Sequence, residues 1–172
     1  LLRSMPVTAL AAAAAALSMA GFPLFFGFIG KEIMYKGALT EEFFPGFATT
    51  AALLANALMT AVAVLIIVKP FLGTERESPM IPREASWTMW LGPVFMGGLG
   101  LIFGIIPDWV GHWLIEPAVR AFHPSMEDIQ LKLFYGINEP LLLSIATLSL
   151  GGILYRIKQP LRQFIGFALT LI

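Results

Sequence analysis

The sequence predicts an all-α polytopic membrane protein with about four transmembrane helices, the first of them discontinuous, and a truncated further helix. Three observations carry that prediction. Hydrophobic residues make up 58% of the chain and charged residues 13%, against about 25% charged in ordinary soluble domains, and the mean hydropathy is +0.81. Four uncharged runs recur, at Val7 to Gly30, Phe43 to Val68, Ala85 to Pro107 and Pro140 to Tyr155. Between them lie segments whose charge and proline content a bilayer interior would reject.

The first run cannot be one straight helix. Pro23 lacks the amide proton that a helix interior needs, and Gly21, Gly27 and Gly30 flank it, so the helix should break between Gly21 and Gly30. The stretch before the break, Val7 to Gly21, makes only about 22 Å of helix, short of a hydrocarbon core of roughly 30 Å. This places Lys31 inside the membrane, at the junction of two half-helices. The six-alanine run Ala11 to Ala16 reads as a strong, close-packing helix.

The second run carries Asn56 and Thr60, four apart and therefore on one face, where they can line a polar path or hydrogen-bond a neighbouring helix. Lys69 to Glu84, with four Pro and Gly residues among its charges, reads as a polar loop. After the third run, Val110, Trp113, Leu114 and Ala118 fall on one helical face and predict a helix lying in the interface, interrupted by Pro117. The fourth run is short and needs Asn138, Tyr155 and a snorkelling Arg156 to reach across. The predicted organisation is one integral membrane domain over residues 1–172. Its spans lie near 7–40 (broken), 46–69, 86–107 and 138–157, with an interfacial helix near 109–122. The apolar residues after Arg162 begin the further helix, and the chain reads as an internal piece of a longer protein rather than one that opens on a signal peptide.

Basic residues set the orientation. Arg3, Lys69, Arg76, Arg83, Arg156, Lys158 and Arg162 fall on one side and Lys36, Arg120 and Lys132 on the other, which assigns the first side to the cytoplasm and the chain to the cell (inner) membrane. The zero net charge gives no argument for nucleic acid, and the absence of cysteine excludes disulfides and thiolate metal sites. No metal cluster, cofactor motif or nucleophile with its base is apparent, so the reading is a transporter and not an enzyme.

Lys31 is the leading functional candidate. A lysine near the bilayer centre costs roughly 2.5 to 3.5 kcal/mol on insertion scales, so it calls for a partner or a water-filled path. The bland alternative is a helix end at headgroup level. Glu32 is either its countercharge or an interfacial acid. His112 and His123 fit a relay at an exit or, more simply, an amphipathic surface.

Met5-Pro6, the alanine-rich helix, Gly21-Phe22-Pro23 and Gly27-Phe28-Ile29-Gly30-Lys31-Glu32 resemble the discontinuous helix of the antiporter-like subunits shared by respiratory complex I and Mrp-type sodium/proton antiporters. Pro82 to Pro93 and Leu131 to Ser144 resemble more selectively the large A subunit of the Mrp antiporter. The resemblance covers nearly the whole chain. It implies that Lys31 ends a buried polar axis relaying protons, that sodium is exchanged for protons, and that partner subunits and membrane lipid surround the chain. Gly30 stands where the family often carries Ser. A proton-pumping subunit of complex I or of a membrane-bound hydrogenase, with translocase activity, is the related alternative. A structural module that only packs against partner subunits is the unrelated one.

Overall fold

The computed structural model describes residues 2, 4–73, 83–122, 131, 133, 136 and 138–169, with 158–169 as helical backbone. Arg3, Arg76, His123 and Lys132, used above for orientation or as relay candidates, lie outside the described residues. Every regular element among the described residues is helical.

Helix α1 spans Pro6–Ala20, with Pro6 in the first turn, where its missing amide proton costs nothing. It ends in a Schellman motif. Gly21 takes the left-handed conformation at φ 69°, its N–H donates to the Ser18 carbonyl at 3.0 Å, and the Phe22 N–H donates to Leu17 at 2.9 Å. Phe22 to Phe25 then form a turn closed by the Phe25 N–H on the Phe22 carbonyl at 3.2 Å. Pro23 in its second position and Leu24 at φ 81° in its third define a type II turn, which ordinarily carries glycine where Leu24 stands. Helix α2 resumes at Phe26 and runs to Leu39.

Gly27 and Gly30, expected at the break, lie inside α2, and the interruption is confined to Gly21–Phe25. A type II turn needs four residues and one left-handed position, so the remaining glycines are free for packing. A Cβ on Gly27 would lie 2.0 Å from the Ser18 carbonyl oxygen, which shows how closely α2 lies beside the end of α1.

Helix α3, Pro45–Ile67, returns along the pair: the Thr49 hydroxyl bonds the Ala38 carbonyl at one end, and Ala63 packs on Ala16 and Ala20 toward the other. It continues as a π-helical turn over Val68–Leu72, so Lys69 and Pro70 extend the helix rather than opening the polar loop. A wider turn accommodates a proline that has no amide to give. Helix α4, Trp87–Ile105, lies against α1 through small residues. A Cβ on Gly97 would come 3.1 Å from the Ala14 Cβ, and one on Gly104 would strike the Leu24 carbonyl oxygen at 2.1 Å, so α4 touches α1 and then the broken backbone.

The interfacial segment is built as α5 (Pro107–Val110), a π-helical turn (Gly111–Ile115) and α6 (Glu116–Phe122). Pro117 does not interrupt it: helical backbone runs on from the π-helical turn through Pro117 to Phe122. The face expected there is also divided. Val110 is buried while Trp113 and Leu114 are exposed, because the π-helical turn changes the register.

Helix α7, Glu139–Leu169, packs chiefly on α3 and also on α2. Gly151 lets it close on α3, since a Cβ there would lie 2.5 Å from the Thr60 Cβ. The residues after Arg162, expected to begin a further helix, continue α7. Charge ends a hydrophobic span but does not end a helix. Among the described residues, three helices are long and apolar enough to cross a membrane, Pro45–Leu72, Trp87–Ile105 and Glu139–Ile157, and α1 is a shorter apolar one. The chain is a multi-pass membrane protein.

Candidate functional site

The end of α1 creates the site. The Schellman motif satisfies the carbonyls of Leu17 and Ser18 but leaves Ala20, whose oxygen faces the break. Lys31, in the second turn of α2, is 8% exposed and its Nζ donates to that oxygen at 2.7 Å. The lysine thus supplies to α1 the cation that its own last turn lacks, where the helix dipole favours one. Gly21 makes the passage open: a Cβ there would lie 2.4 Å from the Lys31 Cδ.

Thr60 reaches the same carbonyl from α3. Its hydroxyl stands 3.5 Å from the Ala20 oxygen and 2.9 Å from that of Asn56. Asn56 and Thr60 are both buried, and Asn56 donates its amide to Ala52 of its own helix at 2.9 Å. Both residues spend hydrogen bonds on helix carbonyls, yet Asn56 also borders a cleft of about 570 Å³ together with Lys31 and Ser18. Methionines, glycines and alanines form most of the remaining wall. The cleft therefore offers one ammonium, one hydroxyl and one amide in apolar surroundings. Only one of the three ammonium protons is committed to Ala20, which leaves donors for a ligand or a water.

Glu32 does not form an ion pair with Lys31 among the described residues, because neighbouring helical side chains diverge by about 100°. It is 5% exposed, and its Oε2 is buried without a hydrogen-bond partner among the described residues. Further along α2, Tyr35 is fully buried and its hydroxyl hydrogen-bonds Thr147 of α7, while Thr147 also donates to Leu143 at 2.7 Å. Sequence reasoning missed Tyr35, Ser144 and Thr147. The available signal was spacing: Tyr35 follows Lys31 by four and Glu32 by three, and Ser144 and Thr147 are three apart on an apolar span.

His112 sits away from Lys31, in the interfacial segment. Its Nδ1 lies 3.0 Å from Oε2 of Glu116, a buried carboxylate that also pairs with Arg120. No group of metal-ligating side chains occurs among the described residues.

Comparison with known proteins points one way. The chain is 28% identical over 171 residues to the A subunit of the Na(+)/H(+) antiporter of Alkalihalophilus pseudofirmus, covering 90% of this chain and 21% of that protein. It is 27% identical over 165 residues to the A1 subunit of the Na(+)/H(+) antiporter of Staphylococcus aureus, covering 90% and 20%. Its structure superposes on a chain of the Mrp complex from Dietzia sp. with a TM-score of 0.75 and 27% identity, over 98% of this chain and 18% of that one. No family model matches the chain. The chain spans about a fifth of the length of the relatives it matches. These likenesses agree with the resemblance read from the sequence.

Proposed function

We propose that this chain is the part of a cation/proton antiporter subunit that carries the relay lysine, exchanging sodium for protons across the cell membrane within a multisubunit complex. The observation that carries the reading is Lys31 Nζ seated on the Ala20 carbonyl at the break, beside a cleft shared with Asn56 and Ser18. A buried ammonium held by a backbone carbonyl and facing a cleft is a group that can give up and regain a proton without the helix unfolding. The likeness to the A subunit of Na(+)/H(+) antiporters supports sodium and proton as the exchanged ions, and the likeness to the Mrp complex supports partner subunits. The likeness to antiporter subunits favours a transporter over an enzyme, and a buried amine facing a cleft suits proton transfer.

The test is antiport in vesicles carrying the full-length complex. Lys31→Ala should reduce sodium-driven proton movement by about a hundredfold while assembly persists. Lys36→Ala, five residues or about 7.5 Å further along α2 and exposed, should change it less than about twofold. Lys31→Arg should also fail, since a guanidinium keeps its proton. Normal transport in Lys31→Ala would return the chain to a packing role.

A further inference from the structure

We propose that the cleft beside the break is a binding site for an amphiphile with one carboxylate, a long-chain free fatty acid of the bilayer, whose head pairs with Lys31 and whose tail lies along α1 and α4. The site stands on the geometry of the cleft. Only its consequence, a carboxylate that holds the proton on Lys31 and so slows exchange, rests on the antiporter reading.

The polar groups of the cleft converge at one end. Lys31 Nζ lies on the Ala20 carbonyl, and Thr60, one turn along α3 from Asn56, reaches toward the same oxygen. The Ser18 hydroxyl points between α2 and α4, since it would stand 3.1 Å from a Cβ on Gly27 and 3.9 Å from one on Gly100. Lys31, Ser18 and Asn56 are thus gathered around the end of α1. Among the described residues the Ser18 hydroxyl makes no hydrogen bond, and the Lys31 ammonium and the Asn56 amide nitrogen make one each, so all three keep a proton to donate. Away from that end the walls turn apolar. Ala14 and Ala15 of α1 and Pro93, Met96 and Gly97 of α4 continue the cleft toward the start of α1.

Charge and shape select the ligand. Lys31 forms no ion pair among the described residues, and a lone ammonium in apolar surroundings is far costlier than one paired with a single negative charge. The same ammonium repels a cationic amphiphile. The volume of about 570 Å³ falls within the roughly 300–1,000 Å³ of sites that hold small molecules, with a few polar groups converging in an apolar pocket. Its mouth suits a flexible chain: Met34, Met59 and Met96 are 42%, 45% and 61% exposed there, and an unbranched thioether adapts to an irregular apolar ligand. A further helix would want small residues on the surface it meets. Two of the cleft's glycines are already spent in closing α2 and α4 on α1, because a Cβ would lie 2.0 Å from the Ser18 carbonyl oxygen at Gly27 and 3.1 Å from the Ala14 Cβ at Gly97.

The experiment uses the full-length complex in lipid nanodiscs, with a palmitic acid carrying a photoactivated diazirine in its chain as the probe and the methyl ester of that probe as the uncharged control. The acid should label peptides containing Met59 or Met96 at least about tenfold more than the ester, the size of one lost charge-assisted hydrogen bond. Lys31→Ala should lower labelling by the acid by about the same factor and leave labelling by the ester unchanged. Gly30→Leu keeps the lysine and fills the cleft, since nothing lies within 4 Å of a Cβ on Gly30, and it should also remove labelling by the acid. That variant carries the test if Lys31→Ala fails to assemble. Equal labelling by acid and ester, or undiminished labelling in either variant, would overturn the site and leave a lipid-facing surface. No labelling of the parent complex would overturn it too, and would show that another helix fills the cleft. Either result with Lys31→Ala still inactive in antiport removes only this site, whereas labelling that depends on Lys31 together with normal antiport in Lys31→Ala keeps the site and removes the relay.

Discussion

Gly21 and Lys31 are a matched pair. The glycine provides a left-handed residue that ends α1 and the clearance that lets the lysine stem cross to the Ala20 carbonyl. Gly21→Ala should therefore fail twice, through about 1–2 kcal/mol of left-handed strain and through displacement of the Lys31 side chain. Its measurable consequence is a lower unfolding temperature together with impaired antiport. Gly27→Ala meets backbone rather than a flexible chain, the Ser18 carbonyl at 2.0 Å, and should cost about 1–3 kcal/mol by forcing α2 off α1. Gly30→Ala is the control. Nothing lies within 4 Å of its added Cβ, and alanine is the better helix former by about 0.5–1 kcal/mol, so thermal stability should hold or rise. The sequence marked these three glycines alike, since one letter says nothing about what stands opposite it.

At the scale of elements, α1 is held at both ends by residues distant in sequence. Its N-terminal amides at Val7 and Thr8 have no cap of their own, and the Glu84 carboxylate accepts from both, at 2.9 and 3.3 Å, and from the Thr8 hydroxyl. That contact sets the starts of α1 and α4 at one end of the bundle. The Thr8 hydroxyl holds the Glu84 carboxyl below its ordinary pKa; desolvation opposes it, and the backbone amides of Val7, Thr8 and Ala85 add to the lowering. A depressed acid stabilises the fold only while ionised. The contribution is complete above the ordinary glutamate range and is lost as pH falls through the lower folded value. Thermal unfolding of the solubilised complex should therefore show an acid-side loss of stability that Glu84→Gln lacks, with the variant less stable than the parent at neutral pH. An identical acid profile in both would show that the clamp contributes nothing.

For the whole molecule, α1, α3 and α4 meet through small residues, while many large apolar side chains are turned outward. α4 makes the point: Trp87, Met89, Leu91, Phe95 and Ile102 are all exposed, while Gly97, Gly100 and Gly104 face α1 and the break. The inversion of the soluble pattern follows from lipid being as apolar as the core, which leaves close backbone approach as the source of packing energy. The charge asymmetry predicts Ser86 on the cytoplasmic side and Arg120 on the other. Single cysteines at 86 and 120 should accordingly be labelled by an impermeant reagent from opposite faces of the membrane, and labelling of both from one face would reverse the assignment.

The chain's class was legible in hydropathy alone, and the presence of a break was legible in Pro23 with its glycines, because both depend on what a backbone can do in lipid. So was Lys31 as a charge beside an apolar run that calls for a partner. What the lysine touches was not legible. Ala20, Thr60 and the cleft come from three helices, and their meeting depends on Gly27 and Gly151 allowing close approach. Likewise Glu32 looked like a neighbour of Lys31 because it follows it in sequence, whereas helical geometry turns it away and it is buried apart from the lysine's partner. Local sequence determines which groups lipid will not tolerate alone; only the packed helices decide which partner each of them finds, since such partners lie tens of residues away and are chosen by shape.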